Sequence, residues 1–408
     1  MSSNERLLDG LICPDRRAFV AGAGAFIAWA NMPRHAFAGR RDPRFVAVVL
    51  RGAMDGLAAV PPVGDPDYAA LRGEWDLGAG NGVIGLDDFF ALNDAMPRLA
   101  DRYRQRQALI VHACATPYRD RSHFDGQDVL ESGMTGPHGS ETGWLNRAAA
   151  VLPKGDRVRP ASGLAVGATV PLILRGQAPT LAWSPPRFKP IGADTADRLA
   201  SLYGERDPVL ARVFQAGLMT DALAEGGSPS QQSGGIKQAF RQLAEGAGRL
   251  LAADDGPRVA AISYDGWDTH IDEGADDGKL ANLLGALDEA LDALAGSLGP
   301  DVWKDTVVAV MTEFGRTARV NGNEGTDHGT ATTAFLVGGA VKGGRILADW
   351  PGLKDADLYE NRDLRPTTDL RAVLKGVLRD HLGIEERALT GTVFPDSIGI
   401  RPLDGLVA

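Results

Sequence analysis

The sequence predicts an α/β fold, a mostly parallel sheet with helices on both faces. Three observations predict it. Short, continuously apolar, β-branched runs recur, as in strands buried on both faces. Between residues 236 and 338 such runs alternate with helical stretches, the pattern of parallel strands joined by crossover helices. The 408 residues, 44% of them apolar, are enough for one large core.

Each element has its own signal. Residues 45–50 (FVAVVL) read as a central strand, ending at Arg51-Gly52 and followed by Asp55. Residues 109–114 (LIVHAC) form a second strand. Ser122 opens a helix, with Asp125 three residues on, close to a capping box. Residues 163–174 (GLAVGATVPLIL) predict short strands or a hairpin outside the alternation. Residues 176–235 are rich in Pro, Gly and Ser and predict a loop-rich insertion. A helix follows over 236–253, with Phe240, Leu243, Leu250 and Leu251 broadly along one face. Residues 258–264 (RVAAISY) are a strand. Residues 280–298 form an amphipathic helix, with Leu283, Leu284, Leu287, Leu291 and Leu294 in register. Strands follow at 306–311 and 332–337, then a helix at 368–381 with Asp369 near its start. No internal repeat is present, and residues 39–408 read as a single domain.

The N-terminus predicts an export signal. Asp15-Arg16-Arg17 precedes an apolar, Ala/Gly-rich stretch from Ala18 to about Met32, and Ala36-Phe37-Ala38 is a small-x-small cleavage site. Residues 1–38 are therefore expected to be a twin-arginine signal peptide, with the translocation machinery as partner and a periplasmic or secreted destination. The apolar run is too short to span a bilayer, so no transmembrane anchor is expected after cleavage. Cys114 would then be the one remaining cysteine, which excludes an internal disulfide. The net charge of −10 and the lack of a basic block argue against nucleic acid as a partner.

The chemistry concentrates after strand ends. Residues 306–329 (TVVAVMTEFGRTARVNGNEGTDHG) run from a strand into Glu313, Gly315 and Arg316, then through a Gly/Asn-rich loop to Asp327-His328. Asp55 follows the first strand, and Asp268 and His270 follow the strand at 258–264. If these strands are parallel, their acids meet at the C-terminal edge, where ligands bind in open α/β sheets. Asp55, Asp268, His270, Glu313, Asp327 and His328 are the candidate ligands of one or two divalent metal ions, with zinc, manganese and calcium as candidates. An acid after a strand is also a common helix N-cap, and Asp55 alone has that reading too. Ser122 and Thr116 are candidate hydroxyl nucleophiles, in a segment that also carries His123, Arg119 and Arg121. Arg316 and Arg51 are candidate oxyanion clamps, or structural partners of the carboxylates. Cys114 reads as a buried strand-end thiol.

Six segments carry a resemblance: VVLRGAMDGLAAVPP (48–62), RSHFDGQDVLESG (121–133), GWDTH (266–270), TEFGRT (312–317), GTDHGT (325–330) and GGAVKGGRILADWPGL (338–353). Through them the chain resembles the DUF1501 family of exported bacterial proteins, within the alkaline phosphatase/sulfatase superfamily. The resemblance implies a three-layer α/β/α sandwich, alkaline phosphatase-like, with metal ligands at the strand ends. It implies that Asp55 corresponds to the first-strand metal Asp, Asp268 and His270 to the middle ligands, and Asp327 and His328 to the last group. Three departures stand out. Phe314 follows Glu313 where the superfamily has a His. The 268–270 spacing is short. The C/S-x-P-x-R frame that fits Pro117 and Arg119 is headed by Ala115, which argues against a formylglycine sulfatase.

Two functions remain in view. One is a metal-dependent hydrolase of phosphate or sulfate esters, with Ser122, His123 and Arg316 in catalytic roles and an anionic ester, small or polymeric, as substrate. The alternative is a non-catalytic metal-binding or partner-binding protein on the same fold. A redox enzyme is disfavoured, because the sequence lacks both G-x-G-x-x-G after a strand and a haem C-x-x-C-H.

Overall fold

The structure, a computed structural model, describes residues 42–75, 77, 82–153, 161–167, 169–185, 220, 224 and 235–408. The expected signal peptide and most of the expected insertion lie outside the described residues.

The strands are β1 (Arg44–Arg51), β2 (Val83–Gly85), β3 (Ala91–Asn93), β4 (Ala108–Ala115), β5 (Gly163–Val166), β6 (Thr180–Trp183), β7 (Val259–Asp265), β8 (Thr306–Thr312), β9 (Thr332–Val337), β10 (Arg345–Leu347) and β11 (Thr368–Asp369). The helices that matter here are α1 (Gly56–Ala59), α2 (Tyr68–Arg72), α3 (Pro97–Arg104), α4 (His123–Ser132), α5 (Trp144–Val151), α6 (Ile236–Ala252), α7 (Gly278–Trp303) and α8 (Leu370–Leu382). The main sheet runs β10-β4-β9-β8-β1-β7-β5-β6, with β11 beside β4, while β2 and β3 form a separate hairpin. Every pairing in the main sheet is parallel except those of β9 with β4 and β8.

The apolar runs explain why this sheet is buried on both sides. Along β1, Val46, Val48 and Leu50 enter one core, with leucines of α6 and α7. The alternate residues Phe45, Ala47 and Val49 enter the other, with Trp144 of α5 and Leu374 and Val377 of α8. Period-two alternation on a strand thus feeds two helical layers, giving a three-layer α/β/α sandwich.

Two expectations need correction. Residues 163–166 are a short strand, as one of the two readings allowed, but it belongs to the main parallel sheet, between β7 and β6, rather than lying outside the alternation. A four-residue strand, Gly163–Val166, is too short for a periodic signal. The helix expected from 368 begins at Leu370, because Thr368 and Asp369 pair with β4 and the Asp369 side chain caps the Arg371 N–H.

Topology delivers one edge. β1, β7 and β8 are parallel neighbours, so their C-terminal ends emerge side by side. β4 runs the same way and leads into α4. The antiparallel β9 starts at that same edge, so the residues just before it return there. Among the described residues no helix is long and apolar enough to cross a membrane.

Candidate metal centre

At this edge three histidines meet one aspartate. Asp268 Oδ1 lies 3.1 Å from His270 Nε2 and 3.3 Å from both His123 Nε2 and His328 Nε2. His270 Nε2 and His328 Nε2 face each other at 2.8 Å. One donor atom each from His123, Asp268 and His328 lies within 4.8 Å of the others.

The other ring nitrogens are anchored from behind. His123 Nδ1 is 2.8 Å from Glu313 Oε1, His270 Nδ1 is 3.0 Å from Asp327 Oδ1, and His328 Nδ1 is 2.9 Å from the Arg121 carbonyl oxygen. Ionised carboxylates and carbonyls only accept, so each Nδ1 carries the proton. That assignment follows from the partners' chemistry. A neutral ring with its proton on Nδ1 has its lone pair on Nε2. With the rings neutral, three lone pairs converge on a carboxylate oxygen, and the four atoms together make a ligand set for a cation.

The second layer holds these groups in place. Burial alone would push the Glu313 carboxyl up, but hydrogen bonds from His123, Gln127 and the Gly52 N–H hold it below its usual range. Gln127 Nε2 donates to Glu313 Oε1 at 3.0 Å and the Gly52 N–H to the same oxygen at 2.9 Å. Gly52 is required here. Its φ is +119°, and a Cβ would stand 2.4 Å from the Asp268 backbone nitrogen. Thr312 Oγ1 donates to the Leu50 carbonyl at 2.7 Å, tying the ends of β8 and β1 together. Asn321 Nδ2 donates to Asp327 Oδ1 at 3.2 Å and to the His270 carbonyl at 3.0 Å. For Asp268, burial acts upward, but the Arg316 charge and its hydrogen bond act against it, and the carboxyl lies below its usual range. His328 is pushed down chiefly by burial, which favours the neutral, ligating ring.

The donor set fits a divalent metal. His123 Nε2 is buried and makes no well-directed hydrogen bond, with Asp268 Oδ1 3.3 Å away, so a ligand atom is aimed into the cluster. Three imidazoles and a carboxylate, each imidazole fixed through its far nitrogen, match a zinc-like or other borderline ion.

The other candidate residues are placed as follows. Glu313 and Asp327 stand behind histidines. Arg316 is 1% exposed, and its Nη2 donates to Asp268 Oδ1 at 2.8 Å and to the Trp267 carbonyl at 3.2 Å. Asp55 is not among the side chains that meet at the cluster. It caps α1 by accepting from the Leu57 and Ala58 N–H groups, and both its oxygens receive Arg72 at 2.5 and 3.0 Å. Ser122 directly precedes His123, and its side chain makes no capping bond to α4. Thr116 is buried and its Oγ1 donates to the Glu313 carbonyl at 3.3 Å. Arg51 pairs with Glu131 and bonds Gln127 Oε1 at 2.6 Å. Cys114 is buried, which pushes its thiol up to about 12. Three contributors gave no sequence signal of their own: the Arg121 carbonyl, Asn321, and Arg362, whose Nη1 donates to the His328 carbonyl at 2.9 Å.

A family model, "Protein of unknown function (DUF1501)", matches residues 107–393. The chain belongs to the DUF1501 family. No curated protein matches this family member in sequence. Among solved structures it is similar to Ps i-CgsB, solved with k-i-k-neocarrahexaose, at 12% identity over 88% of this chain and 77% of that one, with a TM-score of 0.45. It is also similar to the PsFucS1 sulfatase from Pseudoalteromonas sp., at 10% identity, 81% and 67% coverage and a TM-score of 0.34. A third is the Streptococcus pyogenes phosphoglycerol transferase GacH with sn-glycerol-1-phosphate, at 10% identity, 79% and 75% coverage and a TM-score of 0.31.

Proposed function

We propose that this DUF1501 protein is an exported, metal-dependent hydrolase of phosphate or sulfate esters. The observation that carries the reading is the convergence of three imidazole Nε2 atoms on Asp268 Oδ1, with every Nδ1 anchored. His123, His270, His328 and Asp268 hold the ion. Glu313, Asp327 and the Arg121 carbonyl orient the rings, and Arg316 positions Asp268. Bound there, a divalent ion supplies Lewis-acid polarisation of the ester oxygens.

Ser122 is assigned as the nucleophile. It sits at the N-terminus of α4, where the helix field favours an alkoxide and an anion, and its hydroxyl is not spent on capping. Its oxygen attacks phosphorus or sulfur, the ester bond breaks, and the serine proton ends on the departing alcohol. Water then attacks the same atom and frees Ser122. Arg362, with 40% side-chain exposure beside His328 and 3.4 Å from Asp363, is the arginine we assign to the non-bridging oxygens in place of the buried Arg316.

Residues 1–38 act in this reading as the twin-arginine signal, on the strength of Arg16-Arg17, the apolar stretch and Ala36-Phe37-Ala38. The test is turnover of a panel of phosphate and sulfate esters by metal-loaded protein. Hydrolysis abolished by a chelator and restored by the ion supports the proposal. Stoichiometric metal with no turnover across the panel supports a metal-binding protein instead. The burial of Arg316 on Asp268 favours that second reading, because it removes one expected anion clamp.

A further inference from the structure

We infer that the cleft beside the metal centre takes an anionic oligosaccharide, with Phe124 and Arg175 as its specificity residues. The inference rests on the ester-hydrolase reading and names its substrate class. The cleft measures about 1120 Å³ and is walled by Arg51 at the end of β1, Val166 and Gly167 at the end of β5, and Asp265 at the end of β7. It therefore lies on the same sheet edge as the histidine cluster. Its volume exceeds the roughly 300–1,000 Å³ typical of pockets for single drug-sized molecules, so it fits a ligand of several rings.

Helix α4 joins the two places. Its first residue, His123, enters the cluster, while Phe124 and Gln127 line the cleft. Gln127 and His123 also share one acceptor, Glu313 Oε1. A ligand with its reacting group at the cluster and its remainder passing over the first turn of α4 enters the cleft.

The wall chemistry selects the class. Phe124 is 88% exposed at this junction, a ring face open for stacking. The cleft's charged side chains are two arginines against Asp128, Glu131 and Asp265. Arg51 is already committed to Glu131 and Gln127. Arg175 makes no ion pair among the described residues, and its Nε donates to the Val170 carbonyl at 3.2 Å. A densely charged chain such as a nucleic acid would meet the carboxylates, and an apolar ligand would leave them unsolvated. A polyhydroxylated chain donates to the acids and accepts from the amides, stacks a sugar face on Phe124, and sets one sparse anionic group on Arg175.

The test is calorimetric titration of the metal-loaded full chain with size-defined sulfated and phosphorylated tetrasaccharides, their neutral forms, and AMP. A charged tetrasaccharide is expected to bind more tightly than its neutral form and than AMP. Phe124→Ala and Arg175→Gln are each expected to weaken it roughly tenfold while metal content stays at that of wild type. No tetrasaccharide binding better than AMP, or affinities unmoved by both substitutions, overturns the inference. If that happens with the ion still bound, the hydrolase reading survives. A protein that binds the saccharide through Phe124 and Arg175 yet holds no metal supports the cleft and defeats the hydrolase.

Discussion

The Nε2 atoms of His270 and His328 face each other at 2.8 Å, each ring held through Nδ1, by Asp327 in one case and the Arg121 carbonyl in the other. Two lone pairs at that distance repel, and a proton on one of them or a metal ion beside both relieves the repulsion. Asp268 Oδ1 and His123 Nε2 complete the same cage.

Removing an anchor is expected to weaken metal binding without abolishing it. Glu313→Gln and Asp327→Asn each loosen the ring in front of them. Each is expected to lower metal affinity about 10- to 100-fold, measured by competition with a chromogenic chelator. Unchanged affinity in both would mean that the carboxylates do not orient ligands.

Asp55 is expected to act on stability. Its partner Arg72 is buried at the other end of a two-oxygen ion pair, so Asp55→Ala leaves a buried guanidinium unpaired. Urea unfolding should show a loss of about 3–5 kcal/mol. Metal content of the folded variant should match wild type. Loss of metal with little loss of stability would restore Asp55 as a ligand.

How far the sequence carries is visible in such residues. Strands β1, β4, β7, β8 and β9 were legible because uninterrupted apolar runs belong to strands covered on both faces. β5 was legible only as a short strand or hairpin, and its place in the main sheet was not, because three residues between glycines show no period. The meeting of the candidates at one edge was legible because β8, β1 and β7 are parallel neighbours. Which side chains stand in front and which behind was not. Glu313 and Asp327 stand behind histidines, and that order depends on rotamers and on close backbone approaches such as Gly52 to Asp268. Asp55 lies before a short helix, and its identity as a cap was one of the two readings its position allowed.

His112 sets a pH dependence of stability. Its Nε2 lies 2.9 Å from the Val60 carbonyl oxygen, and its Nδ1 accepts from the Ala113 N–H at 2.8 Å, so the ring must be neutral. Burial lowers its pKa to about 4. The unfolded chain, with a histidine near its ordinary value of about 6.5, binds this proton first. Stability is therefore full above about 6.5 and falls as pH drops toward about 4, by an amount on the order of 3 kcal/mol from this residue. NMR of histidine-labelled protein should show one ring still neutral at pH 5. Titration of every ring near its ordinary value would contradict the assignment.

Ser122→Ala is expected to lower kcat by at least about a thousandfold on any ester the protein hydrolyses, with metal content unchanged. A loss below about tenfold would remove the serine from the mechanism and pass the attack to water.

The most direct test is elemental analysis of the natively exported, purified protein beside a His270→Ala/His328→Ala variant. The account predicts about one divalent ion per chain in the wild type and none in the variant, with the fold intact by circular dichroism. A metal-free wild type, even after reloading with zinc, manganese or calcium, would contradict it.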